Sequence, residues 1–276
     1  MLRAFADGRL FGVTCGPGRP SVLALHGWAR SSDDFAATLA GLDAVALDLP
    51  GFGATPPPPE AWGAAGYAVA VADVLDELAT PVVVIGHSFG GRVAVHLAAT
   101  RPDAVAGLVL TGAPLVRPPG VAVRRPALAY RVGRSLHRRG LLPDARMDAL
   151  RRRYGSRDYL AAAGVTRGVH VTAVNETYEE QLAAVQCPVE LVWGDDDTTV
   201  AVTVAEAALP LLRAATLTVV PGAGHLTPLT APDALRDAAR RLLGNTGATG
   251  HRPAGDLATP EGDGDGAGHA ADDEGR

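Results

Sequence analysis

Val82-Val83-Val84-Ile85-Gly86-His87-Ser88-Phe89-Gly90-Gly91 is the stretch on which the reading of this chain turns. Four consecutive apolar β-formers run into Gly-x-Ser-x-Gly, and a helix-competent run, Arg92 to Ala99, follows at once. A short continuous apolar run of this kind reads as a buried parallel strand. Passing from such a strand straight into a helix forces a very tight turn. Ser88 then sits at the tip in a strained backbone conformation, and only small residues fit around it; Gly86 and Gly90 supply that smallness. The helix opening near Phe89 aims its free N–H groups at the place where an oxyanion would form.

The same alternation continues on both sides. Ser21 to Leu25 reads as a buried strand running into His26-Gly27-Trp28, and Asp43 to Leu47 as a strand ending in Asp48-Leu49-Pro50-Gly51-Phe52-Gly53. Arg9 to Cys15 reads as an early edge strand, and Gly107 to Gly112, Val189 to Gly194 and Thr216 to Val220 as further strands. Helices are expected from Ser31-Ser32 through Phe35 to Leu39, over Tyr67 to Leu78, and over Ala231 to Leu243 with Pro232 in the first turn. Ala54 to Gly66, with four successive prolines, reads as a surface loop. Strands alternating with helices predict an α/β fold with a mostly parallel, doubly wound sheet. Ligands bind beyond the carboxyl ends of the strands in such sheets, and His26, Asp48, Ser88, Asp197 and His225 all follow directly after expected strands.

With 276 residues, 47% of them apolar, the chain has ample material for a core. Its N-terminus meets Arg3 and Asp7 before a signal-peptide apolar region could form, and no run approaches a membrane span, so a cytoplasmic location is expected. Cys15 and Cys187 are expected to be reduced. All 25 basic residues are arginine, which points to coding bias. The net charge of −5 belongs to residues 244–276, which hold seven acids and two arginines; residues 1–243 carry 23 charges of each sign. The tail, poor in apolar residues, is expected to be disordered.

Together, Leu25-His26-Gly27-Trp28, Asp48 to Gly53, Gly86 to Gly91, Gly194-Asp195-Asp196-Asp197 and Gly222-Ala223-Gly224-His225 resemble the α/β-hydrolase superfamily over about residues 20–113 and 187–243. The chain order Ser…Asp…His is the order this fold uses. The resemblance implies an α/β-hydrolase fold with core segments 1–114 and 187–243 around a helical cap insertion, 115–186. It implies Ser88 as nucleophile and His225 as its base. Asp197 orients the histidine, chosen over Asp195 and Asp196 by the spacing from Gly194. The backbone N–H groups of Trp28 and Phe89 form an oxyanion hole. His26 and Asp48 are structural on this reading, and His87 packs or bonds locally. His96, His137 and His170 carry no pattern. No cofactor and no metal are expected, since the three aspartates lack spaced partner ligands.

A serine at this position argues against haloalkane dehalogenase and epoxide hydrolase relatives, which place Asp there. The expected activity is cleavage of a small-molecule carboxylic ester or thioester through an acyl-enzyme on Ser88. The insertion carries 13 arginines against six acids. This is either a solvated helix surface in an arginine-rich chain or a landing surface for an anionic substrate or an acidic carrier protein. His26-Gly27-Trp28 with Leu49 to Gly53 is similar to the pimeloyl-carrier-protein methyl esterases of biotin synthesis, although the cap does not align. C–C bond hydrolysis, perhydrolysis and a non-turnover ligand receptor use the same residues and stay open. Nucleic acid is not expected, for want of a recognised module.

Overall fold

A computed structural model describes residues 1–117 and 127–249, and its eight strands form one sheet. They are β1 (Leu2–Phe5), β2 (Leu10–Cys15), β3 (Val22–Leu25), β4 (Ala44–Asp48), β5 (Val82–His87), β6 (Val105–Thr111), β7 (Val189–Gly194) and β8 (Ala215–Val220), in the order β1-β2-β4-β3-β5-β6-β7-β8. The β1–β2 and β2–β4 pairs are antiparallel, and every other pair is parallel. Arg9–Cys15 therefore does not lie at the edge: β1, unseen in the sequence, covers it. The sequence of β1, Leu-Arg-Ala-Phe, buries only Phe5 and offers no alternation to detect.

Strand periodicity divides the apolar residues between two layers. Leu23, Leu25, Val45, Leu47, Val82 and Val84 enter one core. Their neighbours Val22, Ala24, Ala44, Ala46, Val83 and Ile85 enter the other. The first layer is covered by α1 (Ala64–Ala72) and α2 (Phe89–Thr100), with Val93, Ala94 and Leu97 of α2 fully buried. The last helix covers the second layer with Leu235, Ala238, Ala239 and Leu242, the i, i+3, i+4, i+7 spacing of one helical face. Leu235 and Leu242 each contribute about 1.5–3 kcal/mol on burial.

Between β6 and β7 the chain forms α3 (Leu128–Arg138), α4 (Asp144–Tyr154), α5 (Arg157–Ala161), α6 (Gly164–Ala173) and α7 (Glu179–Ala184). In the sequence, Ala127 to Leu136 and Met147 to Tyr154 read as short helices, which correspond to α3 and α4. The seam of this insertion is tied to the core. Arg92 of α2 donates from Nη1 to the Ala173 carbonyl (2.7 Å), and its guanidinium stands 5.7 Å from the Tyr178 ring. The Glu176 carboxylate accepts from Ala64 N at the start of α1 (3.1 and 3.2 Å) and from the Tyr178 hydroxyl (2.7 Å).

After β7 come α8 (Val202–Ala208), α9 (Thr227–Thr230) and α10 (Pro232–Thr249). Three expected boundaries move. The helix expected over residues 31–39 is a single 3-10 turn, Ser32–Phe35, with Ser31 as its cap. Past that turn Arg236 takes the Thr38 carbonyl (3.1 Å) and the Ala37 carbonyl. The helix expected over Tyr67–Leu78 begins at Ala64 and ends at Ala72, followed by a 3-10 turn over Leu75–Glu77. The closing helix runs to Thr249, six residues past Leu243; the rest of the expected acidic tail, from residue 250, lies outside the described residues. Among the described residues no helix is long and apolar enough to cross a membrane, and Cys15 and Cys187 are free.

Candidate active site

Ser88 has φ 50° and ψ −111°, a conformation that costs an L-residue about 1–3 kcal/mol and holds the hydroxyl out above the sheet edge. The surroundings enforce it. A Cβ on Gly86 would stand 2.6 Å from the Gly91 Cα, and one on Gly90 would collide with the backbone carbonyl of Leu25. Ser88 N donates to the Thr111 carbonyl (2.9 Å) and Gly90 N to the His26 carbonyl (3.1 Å), which pins the turn to both neighbouring strand ends.

His225, on the turn between β8 and α9, reaches Ser88 Oγ from Nε2 at 3.2 Å. Its Nδ1 lies 2.8 Å from Asp197 Oδ2. The other oxygen, Asp197 Oδ1, accepts from the backbone N–H groups of Thr199 and Val200, both at 2.8 Å. Burial pushes the Asp197 carboxyl up, but the His225 bond and the two backbone donors outweigh it and hold the pKa below its ordinary value. The carboxylate stays ionised, which requires the proton on His225 Nδ1 and leaves Nε2 free to accept from Ser88. Asp195 is occupied elsewhere, accepting from Gly222 N (2.7 Å), and Asp196 is exposed. Among the described residues no group of three or more His, Cys, Asp or Glu could hold a metal ion.

His87 does more than the local packing read from the sequence. It is buried at the end of β5, and its Nε2 donates across 138 positions of chain to the His225 carbonyl (2.9 Å). Its Nδ1 is buried and unpaired, close to Gly27. Burial lowers the His87 pKa to about 4, so the ring is neutral at neutral pH. The signal for this bond was only its place beside the serine.

His26 and Asp48 brace the loops around the serine. His26 Nε2 accepts from Leu49 N (2.9 Å) while Nδ1 donates to the Gly27 carbonyl (2.7 Å). Asp48, which ends β4 rather than following it, accepts from Ser32 N (2.7 Å) and Ala54 N (2.8 Å). Phe89 N is the first amide of α2, and the turn hydrogen bonds here use neither it nor the Trp28 amide. Both are free to meet a developing negative charge.

Aromatic rings gather at the mouth. Trp28 packs edge-on to Phe52 (5.0 Å) and Phe89 (5.6 Å), and Tyr67 packs against Phe89 (5.0 Å). His170 of α6 lies 5.0 Å from the Trp28 ring and extends this wall into the insertion. It carried no pattern in the sequence because only the fold brings it over Trp28. His96 packs edge-on against Tyr178, and His137 bonds the Leu142 carbonyl within the insertion.

A hydroxyl–imidazole–carboxylate chain at the strand ends of an eight-stranded, mostly parallel sheet defines the α/β-hydrolase class. The family model described as the alpha/beta hydrolase family matches residues 22–238, and the chain belongs to that family. It is 44% identical to lipase LipV of Mycobacterium tuberculosis over 104 residues, 34% of this chain and 38% of the lipase. It is 41% identical to the pimeloyl-[acyl-carrier protein] methyl ester esterase of Aromatoleum aromaticum over 101 residues, 34% of this chain and 37% of that enzyme. The matches thus span well under half the length of these curated relatives. Among solved structures, a thermophilic esterase from Thermogutta terrifontis has the same fold, with a TM-score of 0.63 and 22% identity over 89% of this chain and 98% of that one.

Proposed function

We propose that this chain is a serine hydrolase of carboxylic esters or thioesters. The observation that carries the reading is the unbroken line of hydrogen-bonding contacts from Ser88 Oγ through His225 to Asp197, at a strained turn. Ser88 Oγ attacks the carbonyl carbon and its proton passes to His225 Nε2. The oxyanion is held by the N–H groups of Phe89 and Trp28. Collapse expels the alcohol or thiol, which takes the proton from His225. Water then attacks the acyl-enzyme, giving its proton to the same nitrogen, and the acid departs with Ser88 restored. On this reading residues 115–186 are a cap whose His170 and Tyr159 shape the acyl entrance, and the protein works in the cytoplasm. The test is p-nitrophenyl butyrate turnover. Wild type is expected to turn over and Ser88→Ala to lie at background; equal rates would remove the assignment.

A second reading, a carrier-protein-linked methyl ester as substrate, is favoured by the likeness to pimeloyl-[acyl-carrier protein] methyl ester esterases and by the arginine-rich insertion. It requires a salt-sensitive rate on carrier-bound esters that small esters do not show. A non-turnover receptor would instead acylate once and give no steady-state rate.

A further inference from the structure

Helix α3 packs almost wholly on α4 and turns a different face outward. Gly133 is its one buried residue, fitted against Leu150 and Leu142. On the outer face Leu128 is 71% exposed and Val132 49%, one turn apart, with Ser135 continuing the stripe. Arg131, Arg134 and Arg138 run alongside at i, i+3, i+7, and Arg139 follows the helix; all four are exposed. A shallow groove of about 300 Å³ runs along these side chains. Helix α3 contains no acidic residue. Many other arginines, such as Arg3, Arg9, Arg30, Arg151, Arg236 and Arg241, are paired with carboxylates. No ion pair involves Arg131, Arg134, Arg138 or Arg139 among the described residues.

We propose that this face of α3 docks on an anionic phospholipid surface, with Leu128 and Val132 entering the headgroup–acyl boundary and the arginines meeting lipid phosphates. An apolar stripe bordered by unpaired cations is the arrangement an interfacial helix needs, and charge complementarity requires an anionic surface. The acidic tail of the same chain matches the charge but not the stripe, since residues 250–276 hold one large aliphatic side chain, Leu257. An acidic protein would use the same arginines, and the vesicle experiment below separates the two occupants. Elsewhere in the insertion Leu141, Leu160, Val171 and Val174 are also exposed. The face connects to the serine through a short series of contacts. Tyr130 of α3 bonds the Tyr159 hydroxyl (2.8 Å), Tyr159 lies against His170 (6.4 Å), and His170 lies against Trp28. These contacts link the docked helix to the aromatic mouth beside Ser88.

The inference does not rest on the hydrolase reading, so binding is measured with Ser88→Ala. The full chain is co-floated with vesicles of phosphatidylcholine alone or containing 30% phosphatidylglycerol. Binding is expected only to the anionic vesicles, weakened by 0.5 M salt. The triple variant Arg131→Gln, Arg134→Gln, Arg138→Gln should bind about a hundredfold more weakly at unchanged melting temperature. Leu128→Ser with Val132→Ser should weaken binding while leaving its salt dependence in place. Equal binding by wild type and the arginine variant overturns the proposal. So does failure of the full chain to bind anionic vesicles, whether an acidic carrier protein is retained instead or removal of residues 250–276 alone restores binding.

Discussion

Replacing Asp197 with asparagine separates charge and tautomer from shape. The side chain is buried, and its two oxygens serve different partners: Oδ1 takes two backbone N–H groups and Oδ2 takes His225. An asparagine carbonyl in the Oδ1 place keeps both backbone bonds. The amide then faces His225 Nδ1 as a donor, which forces the proton onto Nε2, and Nε2 can no longer accept from Ser88. The opposite rotamer would restore the tautomer but would press an NH₂ against the Thr199 and Val200 amides. That loses two hydrogen bonds at about 1–3 kcal/mol each, so it is not adopted. The expected result is a loss of about 10⁴-fold in kcat, about 5 kcal/mol, with KM nearly unchanged. The fold should survive with a small fall in melting temperature. Stability should also lose one acid limb. The depressed Asp197 pKa contributes stability above the ordinary carboxylate value of 3.8, lost as pH falls through the lower folded value, and the variant lacks it. Steady-state ester hydrolysis and thermal melts from pH 3 to 8 measure both. A variant within tenfold of wild type would refute the relay.

The remaining predictions are shorter. His87→Gln, which can keep a donor to the His225 carbonyl, should retain most activity, whereas His87→Leu should lower kcat at least tenfold; equal kcat values for the two would show the bond to be idle. Because His87 is held neutral, it stabilises the fold fully above pH 6.5, and about 3 kcal/mol is lost as pH falls toward 4. Denaturant titrations of wild type and His87→Gln across that window read the difference. Gly90→Ala should fail to accumulate as folded protein, since its Cβ meets backbone rather than a yielding side chain. Trp193→Phe leaves the buried Val200 carbonyl without its 2.8 Å donor and should cost about 1–3 kcal/mol in chemical denaturation. Removing residues 250–276 should leave melting temperature and small-ester turnover unchanged.

How much of this was legible depended on where each element's free energy comes from. Strands β3, β5, β6 and β7 were readable because both faces of each are buried and the chain records that as apolar runs. The elbow was readable because steric exclusion leaves no alternative to glycine at residues 86 and 90. Elements governed by distant partners were not. The start of α1 depends on Glu176, 112 residues away. Ser88, Asp197 and His225 were marked by position after strands, while the bond from His87 to the His225 carbonyl joins a strand end to a turn that no local pattern connects.

The Arg92 and Glu176 ties bear on how a substrate of the proposed hydrolase would reach Ser88. They bolt the rear of the insertion to the first turns of α1 and α2, so a wider opening has to come from the forward helices swinging about that anchored seam. Amide exchange should follow the same division, slow at Ala64 and along residues 173–182, faster from 128 to 160. Cutting the bolt with Glu176→Ala should loosen α1 and the roof together, so that one half-buried carboxylate would set the breathing of the whole entrance.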